Sequence, residues 1–299
     1  MIALDWWIVG LYMGGTLALG IWLARRASGG LVDFFVSGRS LPWWLAGTSM
    51  AATTFSVDTP LYVTGLVARR GIAGNWEWWA FALSHLLLIY LFARLWRRAE
   101  VVTDAELTEL RYGGRPAAVL RGSRAFLFAV PINCIAIGYV MLAMRKVMEA
   151  FDLLGTLPAW LPGDERLWIV VALSVFVMIY AGISGLWGVV ATDFFQFGLA
   201  MLGALLVAGF AIGDIGGLAA LKEGVIAAGR EDALRLVPRP GSPDLPMGTF
   251  LAYLGIQWWA WRRSDGGGEF VQRMSACRTE RDAEGAAWLF NLLHYVVRA

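Results

Sequence analysis

The chain has 299 residues, 58% of them hydrophobic and 16% charged, with a formal net charge of +2, and its mean hydropathy is +0.60. Soluble domains are about half apolar and about a quarter charged, so this composition excludes a water-soluble coat. With no basic cluster interleaved with aromatics, it also excludes a nucleic-acid partner; the partner it requires is a lipid bilayer.

Charges gather in short clusters between apolar runs of about 20 residues, the length at which a helix crosses hydrocarbon. The runs are continuous rather than alternating, which points to helices and not barrel strands. The expected fold is an all-α polytopic membrane protein.

The first run, Leu4 to Leu23, has no Lys or Arg before it, Arg25 and Arg26 after it, and no small-residue cleavage site, so it reads as a retained helix rather than a secretory signal. The second, Trp43 to Val67, carries Thr53, Thr54, Ser56, Asp58 and Thr59 in its middle, followed by Pro60. Proline removes a helical donor, clashes with the carbonyl four residues back and turns the preceding residue from the α region. The helix is therefore expected to break there, leaving carbonyls near Ala52 to Ser56 without helical partners. Irregular backbone at membrane depth persists only where protein or a water-filled cavity covers it. Carbonyl and hydroxyl oxygens suit a hard cation such as sodium, and an intramembrane acid such as Asp58 points to function.

Spans follow at Trp76 to Leu95, Ala125 to Met144, Trp168 to Trp187 and Phe194 to Ile212. The seventh run, Met247 to about Ala276, holds Gly266, Gly267 and Gly268, which read either as an interruption or as a cytoplasmic loop after a span ending at Arg262; its first part, Met247 to Trp261, covers only about 22 Å. An eighth, Ala286 to Val297, is too short to cross, which predicts a chain truncated after about seven spans and a partial eighth. Two interrupted segments in corresponding places mark an inverted-repeat transporter. Setting the first span aside, five spans separate one interruption from the next, so the second set enters from the opposite side. The divisions are residues 1–41 for the extra helix and its loop, 42–213 for the first five-helix repeat, 214–246 for an extracytoplasmic loop and 247–299 for an incomplete second repeat.

Most of the 25 basic residues fall on one side, including Arg25, Arg26, Arg39, Arg94, Arg97, Arg98 and Arg278. The positive-inside rule makes that side cytoplasmic, with the N-terminus outside and a multi-pass location in the inner membrane. Cys134 and Cys277 lack metal-site spacing, and His85 and His294, in apolar runs, read as bundle-facing hydrogen-bonding residues. No catalytic constellation appears, so an enzyme is not expected, and no obligate protein partner is evident.

The segments FFVSGRSLPWWLAGTSMAATTFS, ATDFFQF at Ala191 to Phe197 and EFVQRMSACRTERDAEGA resemble the sodium:solute symporters, built as five-plus-five inverted-repeat bundles. The resemblance implies sodium as coupling ion and a small organic solute as cargo. Carried over by position, Ala52 and Phe55 offer backbone carbonyls to sodium with Ser56 close by, and Asp193, at the cytoplasmic start of the fifth core helix, serves its release. Glu77 matches a position that contacts solute hydroxyls, and Trp258 and Trp259 match aromatic positions flanking the solute. Thr54, Asp58, Thr59 and Gln257 complete the expected solute set. From the residues alone, Glu77 among its tryptophans fits an interfacial belt equally well, and Asp193 fits an acid complementing a helix N-terminus. The alternative for the whole protein is a symporter-like sensor joined to a signalling kinase.

Overall fold

The computed structural model describes residues 3–150, 165–260 and 267–298. It is all-α, with no sheet among the described residues. In chain order the helices are α1 Ala3–Ala27, α2 Leu31–Val36, α3 Trp43–Thr53 and α4 Asp58–Arg70. Next come α5 Ile72–Ala99, α6 Asp104–Tyr112, α7 Gly114–Ala150 and α8 Glu165–Ile215. The last four are α9 Leu218–Ala227, α10 over 247–260, α11 Gly267–Ser275 and α12 Glu280–Leu292, the last running on through a wide turn to Val297.

Four stretches among the described residues are long and apolar enough to cross a membrane: Ala3–Ala27, Ile72–Ala99, Gly114–Ala150 and Leu167–Ile215. The last would be about 74 Å long if straight, more than twice the hydrocarbon thickness. It is not straight. Gly185 adopts φ 57°, ψ −162°, and Tyr180 and Gly188 on either side of it both lie against Gly20 of α1. The chain thus doubles back, and the two expected spans at Trp168 and Phe194 are one helix folded at a single glycine. A Cβ there would stand 2.8 Å from the Phe34 carbonyl, so the reversal requires glycine twice over, for its φ and for its close packing.

The second span breaks as expected, but not because of Pro60. The 11 residues of α3 and the 13 of α4 each reach about 16–20 Å, too short to cross alone. Residues 54–57 separate them, with tight closing bonds from Thr54 N to Ala51 O (3.2 Å) and Phe55 N to Ala52 O (2.9 Å). Pro60 is the third residue of α4 and Thr59, far from being expelled from helix, is its second. A first-turn N–H has no intrahelical acceptor, so proline costs nothing there and favours a new start. In α7 the proline is interior: a wide turn over Phe128–Ile132 holds Pro131, and the helix outruns the expected Ala125 to Met144 at both ends. Of the second interruption, residues 261–266 lie outside the described residues; Gly267 and Gly268 open α11.

Ion pairs collect at the two ends of the bundle. At one end Arg39 meets Glu100, Arg98 meets Glu280 (2.7 Å) and Arg94 meets Glu284. At the other, Arg70 meets Glu77 (2.6 Å) and Arg230 meets Asp244. The principal core lies at the first end, where Leu45, Ala46 and Met50 of α3 pack on Ala283, Ala286 and Phe290 of α12 and on Phe270 and Met274 of α11. Contact is closest at Gly47, where a Cβ would stand 2.7 Å from the Ala286 carbonyl. Beside it the stretches leading into α3 and α12 pair as extended backbone, Leu41 N to Ala276 O and Arg278 N to Leu41 O, both 3.0 Å.

Candidate functional site

The break between α3 and α4 presents two faces, and a cavity opens on each. The smaller, about 290 Å³, is lined by Ala52 and Phe55 of the break, Asp193 and Gln196 of α8 and Tyr12 of α1. The larger, about 680 Å³, is lined by Thr54, Ser56, Asp58, Thr59 and Tyr62, by His85 and Trp78 of α5, and by His294, Tyr295 and Arg298 at the end of α12. The structure thus brings Ala52, Phe55 and Asp193 to one cavity. It places Ser56 on the opposite face, where its hydroxyl donates to Asp58. A residue at the foot of a break points according to local turn geometry, which adjacency in sequence does not reveal.

Asp193 is not at a helix start. It lies about two turns beyond Gly185, and its side chain is 14% exposed. It accepts from the Ser49 hydroxyl and from Arg273 Nη2 at 3.3 Å, while Arg273 Nε donates to Ser49 Oγ at 2.7 Å and Nη1 to the Glu269 carbonyl at 3.0 Å. Asp193 is therefore neutralised in place, and a cation arriving beside it must share it with an arginine. Arg273 was legible as a lone charge on the face of Phe270 and Met274, because a buried charge demands a partner.

Glu77 belongs to neither cavity wall. Tyr62 donates to its Oε1 (2.5 Å), and Arg70 (2.6 Å) and Tyr253 (3.0 Å) to its Oε2; the Gln257 amide donates to its backbone carbonyl at 2.8 Å. This network ties α4, α5 and α10 together. Trp258 packs against Ala73, Ala80 and Tyr253, whereas Trp259 is 61% exposed on the outside of the bundle. Glu77, Gln257 and Trp258 thus stand together, away from Thr54, Asp58 and Thr59, with Tyr62 touching both groups.

Both histidines line the larger cavity. His85 Nδ1 lies 2.7 Å from the Tyr295 hydroxyl and His294 Nδ1 lies 3.0 Å from Thr54 Oγ1. Trp78 stacks on Tyr295 with ring centroids 6.0 Å apart. Tyr62 had a sequence signal, standing one helical turn from Asp58 and hence on its face. Tyr295 and Arg298 had none, because they arrive from a distant helix.

The family model described as SSF: Sodium:solute symporter family matches residues 34–258. Sodium/glucose cotransporter 1 of Oryctolagus cuniculus is 27% identical over 223 residues, covering 74% of this chain and 32% of that protein. The Vibrio parahaemolyticus sodium/glucose cotransporter is 24% identical over 219 residues, 72% of this chain and 37% of that protein. The chain spans about a third of the length of these curated relatives. Among solved structures, a substrate-bound outward-open Na+-coupled sialic acid symporter superposes with a TM-score of 0.73 at 19% identity, covering 98% of this chain and 57% of that one, a likeness of fold.

Proposed function

The chain belongs to the sodium:solute symporter family, and from that premise we propose that the protein carries a small organic solute across the cytoplasmic membrane, coupled to sodium, by alternating access. The observation that carries this reading is the pair of cavities sharing one break: around residues 54–57 the chain turns Ala52 and Phe55 to one cavity and Thr54, Asp58 and Thr59 to the other.

Sodium is cargo at the smaller cavity, taken by the carbonyls of Ala52 and Phe55 with Asp193 alongside. Solute occupies the larger cavity, against the hydroxyls of Thr54, Ser56 and Thr59 and the aromatic wall of Trp78 and Tyr295. A cation that fixes the break on one side fixes the wall of the solute site on the other. Coupling then requires only that sodium bind the solute-competent arrangement more tightly, since equal affinity for both shifts nothing. Glu77 and Gln257 act on the solute path through Tyr62, and Trp258 backs them; Trp259, on the outer surface, is the weakest member of the expected set. The basic end holding Arg39, Arg94, Arg97 and Arg98 faces the cytoplasm. Residues 42–213 form one repeat and residues from 247 onward begin its inverted counterpart.

The test is uptake of a solute panel by the full-length protein in proteoliposomes, with and without an inward sodium gradient. Uptake should follow the gradient, and Asp193→Ala should abolish that dependence. Uptake indifferent to sodium refutes the proposal.

A further inference from the structure

Arg298 reaches from the end of α12 into the larger cavity and touches the break itself. Its Nη1 donates to the Thr54 carbonyl at 2.7 Å and to Thr54 Oγ1 at 3.2 Å. The guanidinium carbon lies over the ring of Phe55, 5.2 Å from its centroid, and 5.9 Å from that of Trp78. Only one of its three nitrogens is thereby used. Among the described residues no carboxylate comes within ion-pair range of it, whereas Arg70, Arg94, Arg98 and Arg273 each have one.

A partly buried guanidinium costs heavily unless its remaining donors are met. Its Nε and Nη2 form a planar fork whose geometry matches two oxygens of one carboxylate. Phe55 and Trp78 flank the guanidinium, and Arg298 lines the larger cavity, into which its unused edge can bind. Asp58 lines the same cavity and accepts from Ser56, and it repels an anion from its own side. An anionic group is thus confined to the Arg298 edge.

We propose that the solute carries a carboxylate, bound by the Nε–Nη2 edge of Arg298. This rests on the larger cavity being the solute site. It also gives Arg298 a second consequence, since the same guanidinium holds the Thr54 carbonyl: an anion drawn to it loads the break directly.

The test uses two acid–amide pairs, acetate with acetamide and benzoate with benzamide. Each is titrated into the full-length protein in detergent and followed by thermal unfolding, in wild type, Arg298→Gln and Arg298→Lys. A fork of charge-assisted bonds predicts that at least one acid binds about tenfold or more tightly than its amide. Arg298→Gln should remove the preference, and Arg298→Lys, a point charge without the fork, should keep only part of it. Equal effects of acid and amide, no effect of either, or a preference that survives Arg298→Gln overturns the inference. Stabilisation by sodium chloride over choline chloride is measured in the same samples. Sodium stabilisation without an acid preference removes this inference and leaves the symporter reading standing; loss of both removes the two together.

Discussion

Replacing Arg273 by Gln leaves Asp193 without its cation in a site where the two side chains are 6% and 14% exposed. At their separation of 3.3 Å, and with an effective dielectric of about 20, the lost attraction is about 5 kcal/mol. Breaking a buried pair from one side typically costs about 3–5 kcal/mol, and much of that is the charge left behind. Asp193→Asn alone should cost a similar amount, because Arg273 then has only Ser49 and the Glu269 carbonyl. The double variant Asp193→Asn with Arg273→Gln carries no stranded charge and should recover at least about 2 kcal/mol of the summed loss. Equilibrium unfolding of the four proteins in mixed detergent micelles measures the cycle. Single losses below about 1 kcal/mol that add within about 0.5 kcal/mol would refute the neutralised pair and return Asp193 to the role of a free acid.

Gly185→Ala combines a left-handed φ with a clash against the Phe34 carbonyl, so it should destabilise by about 2 kcal/mol or more. Gly182→Ala, with open space around it, should be close to neutral in the same melting assay. Thr279 caps α12 by accepting from Asp282 N at 3.1 Å, and Thr279→Ala should lower stability by about 1 kcal/mol. Ser56→Ala should weaken solute binding about five- to tenfold, one hydrogen bond's worth, while leaving the sodium concentration dependence of uptake unchanged. A shifted sodium dependence would put Ser56 back with Ala52 and Phe55.

Membrane class, the all-helical fold and the break after α3 were legible because each depends on local properties: apolar length, charge clustering and polar residues where none belong. The cause of the break was misread, since Pro60 has the same sequence signature whether it disrupts a helix or opens one. A division between the spans at Trp168 and Phe194 was expected, but its position at Gly185, inside the first of them, was not, because Leu186 to Val190 are as apolar as a span and leave no polar loop to mark the turn. Site residues divided along the same line. Asp193, Ala52 and Phe55 line one cavity, and Arg273 carried a signal as a lone charge on an apolar face, but Tyr295 and Arg298 depend on helices meeting from far along the chain, which periodicity does not encode. Glu77 was ambiguous for a related reason: its neighbours in sequence are tryptophans, whereas its neighbours in space are Tyr62, Arg70 and Tyr253.

The backbone clasp between Leu41 and the strand-like stretch Ala276 to Arg278 fixes the starting points of α3 and α12 to each other. With Gly47 seated against Ala286 a turn or so further in, the two helices are held at two levels along their length. Two points of attachment define a lever: α3 and α12 tilt together or not at all. Probes placed on Trp44 and Trp288 would keep a constant spacing through a transport cycle, and the flexing would be read instead between α3 and α4, across the four residues that both cavities share.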